Sequence, residues 1–494
     1  MQHPRAAGVN LTSFCRRRHA QALRYRVETG SRPGRRRDRM RIGLAIEGGG
    51  MRGCVSAGMA AALHHSGLIN CFDTVLGSSA GALVGAMLMS GASASQTLEV
   101  FEYLSSGGKD FLVPARALSL IAHNQLPGRS AALSSAEAIQ PIMDLDYLFQ
   151  SVLQGSVPFD WQAFRARDAV QPLAVVASSL TAQRSRSLTS RKRNFHDLHS
   201  LFRCLRASCF LPGVAGLNPV RVDPGRAGPG RAFASGSASS RRARPNPVGG
   251  GRGEVYVDAL VYEPLPYRSA VDQHDCTHVL VFRSWPDGRE LPQAAPFRIF
   301  ENILAPLCLR DHPATLRFMQ EDGHSRVYAE DVLRLNAGAA GPDGPAGSGP
   351  CTYKGAHLLP LAVSDREPVP QLSLDRNVLL GGFVDGFARA LEVLRPVVAA
   401  KPQGGVDPTR VGLADAGPST VMMGRAEPGF SDPSPSCGGV DECERVLSEL
   451  KARRSAAALR TVAGPAQAAA GSTGSGRADS FHLDGLLRML RGAA

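Results

Sequence analysis

The sequence predicts an α/β domain built on a largely parallel sheet. Short apolar runs bounded by glycine alternate with longer segments of helical periodicity, which is the pattern of βαβ units. The clearest unit spans residues 41–91. It contains a predicted strand at Ile42–Ile46, a helical segment, a second apolar run at Thr74–Leu76 and a helix rich in small residues. Because parallel strands are joined by such crossovers, this unit indicates neighbouring parallel strands.

Both turns of this unit carry glycine motifs. Residues Gly48–Gly53 read G-x-G-x-x-G, and Gly77–Gly81 read G-x-S-x-G with Ser79 at the centre. In the second motif, the flanking glycines Gly77 and Gly81 allow a turn tight enough to expose a serine at the head of a helix. Amides at that helix terminus and in the first glycine turn can stabilise an oxyanion. The two motifs together favour nucleophilic acyl transfer.

The first motif is also the fingerprint of dinucleotide-binding folds. Asp73 lies 20 residues after Gly53, which is near the spacing of the acid that binds the ribose in those folds. That acid, however, belongs at the carboxyl end of the second strand. Asp73 precedes the second strand, and the serine motif occupies the carboxyl end. The sequence therefore disfavours a dinucleotide site.

The two motifs resemble those of the patatin-like phospholipase family. E-G-G-G-M-R-G at Glu47–Gly53 is followed by G-S-S-A-G, as in that family. Val255–Pro266 resembles the family's aspartate motif and contains Asp258, with Ala259 in place of the family's glycine. Leu205–Pro219 resembles the stretch upstream of it. The resemblance covers residues 42–284 and implies a three-layer fold in which helices flank a central, largely parallel sheet.

The resemblance also implies a lipid acyl hydrolase, either phospholipase A-like or an acylglycerol lipase, that uses a serine and an aspartate without histidine. Ser79 is then the nucleophile and Asp258 the general base. The oxyanion hole is assigned to Gly48, Gly49, Gly50, Arg52, Gly53 and Ala80. Its expected donors are the amides of Gly49, Gly50 and Ala80, while Arg52 either supports the loop or forms a structural ion pair. With an aspartate as base, we expect activity well below the pH at which a histidine base fails.

The implied partners are a glycerolipid or phospholipid substrate and a peripheral membrane or lipid-droplet surface. No metal or organic cofactor is expected. The alternative is a catalytically impaired lipid-binding or regulatory protein, which would follow if Ala259 misplaced Asp258. The ten cysteines have no metal-ligand spacing, so we expect no zinc site and interpret them as small buried side chains in a reducing compartment.

Two segments together carry a formal charge of +16 and the rest of the chain carries −3, which gives the net charge of +13. Residues 1–41 contain 12 arginines, and residues 224–253 contain six arginines and no acid. Phe233 is the only aromatic residue in the second segment, so we expect no nucleic-acid binding. The first segment resembles a plastid or mitochondrial transit peptide, with a disordered basic arm as the alternative. It lacks the apolar core of a secretory signal, so the protein is expected to be cytoplasmic or peripheral on a membrane if it is not in an organelle.

Composition suggests four regions. Residues 1–41 form the basic arm, which we expect to be dispensable for activity. Residues 42–284 form the catalytic domain, interrupted by a predicted disordered insertion at 221–253, and residues 285–400 form a mainly helical extension that completes it. Residues 401–494 are a low-complexity tail with an amphipathic helix at Phe481–Arg491, which either docks on the core or binds a lipid surface. The chain has no run of 18 apolar residues and so no predicted membrane span.

Overall fold

The computed structural model describes residues 14–106, 111–113, 116, 140–223, 253–286, 300–337, 351–363, 368–400 and 439–462. Within these residues a single mixed sheet has the strand order β5-β6-β3-β2-β1-β7-β9-β8, and β4 pairs with the free side of β3. The strands are β1 (Ile42–Ile46), β2 (Thr74–Ser78), β3 (Leu173–Ser179), β4 (Arg184–Leu188), β5 (Val220–Val222), β6 (Glu254–Val257), β7 (His278–Phe282), β8 (Thr352–Tyr353) and β9 (Ala356–Leu361).

The centre of the sheet is parallel. Strands β3, β2, β1, β7 and β9 all run in one direction. The remaining strands join through antiparallel pairs, in which β4 and β6 pair with β3, β5 with β6, and β8 with β9. Each predicted strand of the βαβ unit is present, and the apolar runs after residues 170, 276 and 355 form β3, β7 and β9. The prediction of a largely parallel sheet is therefore confirmed.

Helices cover both faces of the sheet. The α-helices are α1 (Phe14–Glu28), α2 (Gly53–His65), α3 (Ala80–Met89), α4 (Ala94–Ser106), α5 (Trp161–Val170), α6 (Leu198–Cys209), α7 (Tyr267–Asp272), α8 (Ala305–Cys308), α9 (Pro313–Gln320), α10 (Gly323–Ala337), α11 (Arg376–Val398) and α12 (Gly439–Val462). Two π-helices lie at Tyr147–Ser156 and Phe300–Leu304, and short 3-10 turns lie at Gly50–Arg52, Leu68–Cys71 and Ala259–Val261.

Alternate residues of the central strands enter two separate cores. In β1, Leu44 and Ile46 face the larger core with α2, α3 and α11, while Ala45 faces the smaller core with α7 and α10. Strand β7 divides in the same way. Because both faces are buried, every residue of β1 is apolar or glycine, and no polar alternation is visible in the sequence. This is the three-layer arrangement that the family resemblance implied.

The basic N-terminal segment is part of the core, which corrects the expectation of a separate arm. Helix α1 buries His19, Leu23 and Arg26 against α11, β9 and the turn before β2. The Arg26 side chain is fully buried and forms ion pairs with Asp38 and Asp73. A buried guanidinium requires such partners, so this arginine belongs to the folded domain rather than to a solvated tail. Residues 1–13 lie outside the described residues.

The C-terminal region also contains an element that the composition did not reveal. Helix α12 lies within the predicted low-complexity tail and buries Cys443, Val446 and Leu450 against the larger core. These side chains recur at helical spacing and form an apolar stripe. Residues 439–462 of the predicted low-complexity tail are therefore an ordered helix that packs on the core. The predicted helix at Phe481–Arg491 and most of the predicted insertion lie outside the described residues.

Eight cysteines fall in the described ranges, and all of them are free and buried. Across the same ranges, no helix combines the length and hydropathy that crossing a bilayer requires.

Candidate active site

The candidate site forms where two strands meet end to end beside β3. Strand β2 runs parallel to β3, and its last residue, Ser78, pairs with Val176. Strand β6 runs antiparallel to β3, and its last residue, Val257, pairs with Ser178. Strand β4 pairs along one side of β3, and β2 and β6 share the other side. On that shared side, β6 pairs with the part of β3 that lies beyond the end of β2. The carboxyl ends of β2 and β6 therefore point towards each other.

Ser79 and Asp258 follow these two facing strand ends directly. The Ser79 hydroxyl donates a hydrogen bond of 2.8 Å to Oδ2 of Asp258, across a sequence separation of 179 residues. The two residues that the sequence proposed as a pair are thus in direct contact. The arrangement can pass a proton from a serine hydroxyl to a carboxylate.

Ser79 occupies a strained turn between β2 and α3, with φ 51° and ψ −125°. Close packing explains the glycines on either side. A Cβ on Gly81 would lie 2.3 Å from the carbonyl oxygen of Ile46, and one on Gly77 would lie 2.4 Å from Cα of Ala82. Only glycine fits at both positions, so the G-x-S-x-G pattern records a steric requirement of this turn.

Asp258 is only 5% exposed. Its Oδ1 accepts a hydrogen bond of 2.8 Å from the N–H of Leu260, and its own N–H donates to the carbonyl of Phe210 at 2.9 Å. Burial raises the pKa of Asp258 to about 6, and the hydrogen bonds from Leu260 and Ser79 oppose that rise. A carboxyl group with this pKa is ionised at neutral pH and is a stronger base than an exposed aspartate.

The substitution at Ala259 does not disturb this geometry. Ala259 is fully buried and begins the short 3-10 turn that follows Asp258. Its φ angle is not positive, so the backbone here makes no demand for glycine. The carboxylate of Asp258 contacts Ser79 with alanine in the next position.

Three backbone amides lie beside the site, those of Gly49 and Gly50 in the glycine turn and that of Ala80 at the start of α3. Gly49, Gly50 and Ala80 line the cavity beside Ser79. Among the described residues, no hydrogen-bond acceptor contacts their N–H groups. Unpaired amides at the start of a helix and in a glycine turn can donate to a developing oxyanion.

The other amides of the loop are engaged and hold its shape. The N–H of Gly48 donates to Pro264, and the N–H of Gly53 donates to carbonyls within the loop. The N–H of Met51 donates to the carbonyl of Gln371 at 2.8 Å. Gly50 has φ 56°, and a Cβ there would lie 2.6 Å from the same Gln371 carbonyl oxygen. Gly48 and Gly53 therefore shape the loop and are not donors to a ligand.

Arg52 lies against an aromatic ring. Its guanidinium carbon is 5.1 Å from the ring centre of Trp285, and it makes no ion pair with the described residues. A second support of the loop was not predicted from the sequence: Glu47 accepts hydrogen bonds from Ser284 and Tyr328. The residues that support Glu47 are more than 230 positions away in the chain, and no local motif marks them.

An apolar cavity opens beside Ser79. The walls come from α3, α4 and the segments around residues 111 and 145, and they present Leu83, Phe101, Leu104, Phe111, Leu112, Met143, Leu145 and Leu148. Polar groups are confined to the end that holds Ser79 and Asp258, apart from Gln371 near the glycine loop. This division suits a ligand with one reactive polar group and a long apolar portion.

The dinucleotide interpretation finds no support here. Asp73 lies at the opposite edge of the sheet, where it accepts hydrogen bonds from Arg26, Arg36 and the N–H of Ile42. It is too far along the strand from the glycine turn to act with it. Within the described residues, no group of three or more His, Cys, Asp or Glu side chains is arranged to hold a metal ion.

Comparisons with known proteins place this geometry in a family. The family model described as patatin-like phospholipase matches residues 44–271. A search of curated proteins finds no match. Among solved structures, the crystal structure of VipD from Legionella pneumophila shares 13% identity over 73% of this chain and 67% of that chain, with a TM-score of 0.33. The family match covers the glycine turn, the serine turn and the aspartate together. Residues 44–271 of this chain therefore form a patatin-like phospholipase domain.

Proposed function

We propose that the protein is a serine hydrolase that cleaves carboxylic esters of lipids, as a phospholipase A-like enzyme or an acylglycerol lipase. Ser79 is the nucleophile and Asp258 the general base. The observation that carries this proposal is the 2.8 Å hydrogen bond from Ser79 to Asp258 at the polar end of an apolar cavity. The family match to residues 44–271 supports lipid acyl hydrolysis as the reaction class.

In the acylation step, Oγ of Ser79 attacks the ester carbonyl while its proton passes to Oδ2 of Asp258. The carbonyl oxygen becomes an oxyanion, which accepts hydrogen bonds from the free amides of Gly49, Gly50 and Ala80. The bond to the alcohol then breaks, and the departing oxygen takes the proton from Asp258. An acyl group remains on Ser79, and Asp258 is again a carboxylate.

Deacylation repeats the same proton transfers with water. A water molecule gives a proton to Asp258 as its oxygen attacks the acyl carbon, and the same amides stabilise the second oxyanion. The fatty acid leaves as the proton returns to Ser79. The rise of the Asp258 pKa to about 6 suits this cycle, because the group must both accept and return a proton near neutral pH.

The shape of the site supports a lipid substrate. The acyl chain would lie along the leucine and phenylalanine side chains of the cavity, and each buried methylene contributes about 0.8 kcal/mol. The ester would lie at the polar end, with the glycerolipid or phospholipid headgroup towards the mouth. Such a substrate is presented by a membrane or lipid-droplet surface, so the protein would act there as a peripheral enzyme. An organelle address within residues 1–41 stays a prediction of the sequence.

The test is a panel of neutral glycerolipids and phospholipids offered to the purified protein, together with a fluorophosphonate probe. We expect release of fatty acid from at least one class and covalent labelling of Ser79. The Ser79→Ala variant should lose both, while Ser78→Ala should keep labelling, because the Ser78 hydroxyl is buried and donates to the carbonyl of Glu263. A wild-type protein that binds lipid but is not labelled would instead indicate the impaired lipid-binding protein.

A further inference from the structure

The end of helix α6 contacts both members of the candidate dyad. Ser208 is fully buried on this helix. Its hydroxyl oxygen accepts a hydrogen bond of 2.8 Å from the N–H of Ser79 and donates one of 2.5 Å to the carbonyl of Val176. The hydroxyl therefore uses one acceptor site on the serine turn and its single donor on β3, so that both bonds are to backbone groups.

The bond to Ser79 acts where the backbone is strained. A non-glycine residue at φ 51° is strained and persists only when its surroundings hold it. Val176 pairs with Ser78 in the sheet, so Ser208 connects the residue after β2 to the strand beside it. Because the Ser79 N–H is directed at Ser208, it is also not one of the oxyanion donors.

The same short segment holds the general base. Two residues after Ser208, the carbonyl of Phe210 accepts the N–H of Asp258 at 2.9 Å. Cys209, between them, lines the cavity. One segment of three residues thus contacts the backbone of the nucleophile on one side and the backbone of the base on the other.

We propose that Ser208 is a positioning residue that holds Ser79 in the strained conformation from which its hydroxyl reaches Asp258. The inference rests on the proposed function of Ser79. Ser208 touches neither the substrate nor the transferred proton, and it acts through the backbone of Ser79. Without its hydroxyl, the Ser79 N–H and the Val176 carbonyl lose their partner, and the turn can relax and withdraw Oγ from the carboxylate.

The experiment compares Ser208→Ala and Ser208→Cys with wild type and with Ser90→Ala. Ser90 is a matched control, because its buried hydroxyl donates to the carbonyl of Met87 at the far end of α3. We measure kcat and KM on a soluble short-chain ester and the rate of fluorophosphonate labelling. A misplacement of this kind costs on the order of 10²-fold in rate. Ser208→Ala should therefore lose about 10²-fold in kcat and in labelling rate, with KM within about twofold of wild type.

Ser208→Cys keeps the size of the side chain but offers a weaker acceptor, so its kcat should lie between those of Ser208→Ala and wild type. Ser90→Ala should label at the wild-type rate even if its melting temperature falls. If folded Ser208→Ala has the kcat and labelling rate of Ser90→Ala, the positioning role is wrong. If the alanine variant does not fold, a folded cysteine variant with wild-type kcat overturns it. Wild-type protein that is not labelled at all overturns the proposed function of Ser79 itself.

Discussion

The fully buried guanidinium of Arg26 lies 2.8 Å from the carboxylate of Asp73 and connects helix α1 to the start of β2. Arg26 also donates to Asp38 and to the carbonyls of Cys71 and Met40. Asp73 in turn accepts the N–H of Ile42, the first residue of the first strand. The N-terminal helix is thereby joined to the edge of the sheet opposite the candidate active site.

Replacing Arg26 with alanine should lower the free energy of unfolding by about 3–5 kcal/mol, because it removes a fully buried side chain together with its ion pairs to Asp38 and Asp73, of which only Asp73 keeps another cation among the described residues, Arg36. Arg24→Ala, on the exposed side of the same helix, should change it by less than about 1 kcal/mol. Denaturant unfolding measures both. Deletion of residues 1–40 should likewise destabilise the protein, contrary to the expectation from composition. A deletion variant as stable as the full chain would contradict this account.

The pH dependence of activity should follow Asp258. A general base must be ionised, so kcat/KM should fall as the pH drops through about 6. This corrects the expectation that activity extends well below the range of a histidine base, because burial moves the aspartate into that range. A pH–rate profile measured on a soluble ester gives the value. An acid limb near pH 4 would show that Asp258 is more solvated than the structure indicates.

Asp258→Asn should separate catalysis from stability. The amide cannot accept the proton, so kcat should fall by about 10²–10⁴-fold. Because the pKa of Asp258 is higher in the folded state than its ordinary value, the fold loses stability as the pH rises from about 4 to about 6, the range in which the unfolded chain gives up this proton and the folded protein keeps it. The asparagine variant should therefore be more stable than wild type at pH 7, by roughly 2–3 kcal/mol, and the difference should vanish below about pH 4. Equal stability at both pH values would refute the buried-carboxylate argument.

The cavity should set the acyl-chain preference. Leu104→Trp, on α4, fills part of the cavity, so the ratio of kcat/KM for long-chain to short-chain esters should fall by about 10²-fold if four methylenes are excluded. Leu98→Trp is the matched control, since Leu98 is buried on the same helix but does not line the cavity. The control should lose stability and keep the ratio. If Leu104→Trp also kept the wild-type ratio of kcat/KM for long-chain to short-chain esters, the cavity would not be the acyl site.

Helix α12 should stabilise the wall of that cavity. Its Arg453 pairs with Glu102 on α4, and its apolar stripe packs on α2 and α11. Ending the chain before Gly439 should lower the melting temperature, since it exposes Cys443, Val446 and Leu450 and the core beneath them. Ending it after Val462 keeps every contact described for α12 and should have little effect. Thermal unfolding of the two truncated proteins gives the comparison, and equal melting temperatures would refute a stabilising role.

The sequence by itself determined the local elements on which the site depends. The apolar runs at Ile42–Ile46 and Thr74–Leu76, the glycine turn and the serine turn could be predicted because each is encoded within a few neighbouring residues. Gly77 and Gly81 are needed by the packing of one turn, and Gly50 by its own φ angle. Asp258 could be predicted only because the residues around it, Val255–Pro266, resemble the aspartate motif of the patatin-like phospholipase family.

Tertiary structure alone decided how these elements combine. The facing ends of β2 and β6 depend on where two strands pair along β3, and a one-dimensional pattern does not contain that register. The pKa of Asp258 depends on its burial, and the contact of Ser208 with Ser79 joins residues 129 positions apart. Composition misjudged α1 and α12, because arginine-rich or alanine-rich segments become ordered when a distant surface supplies carboxylates or an apolar face to bury against.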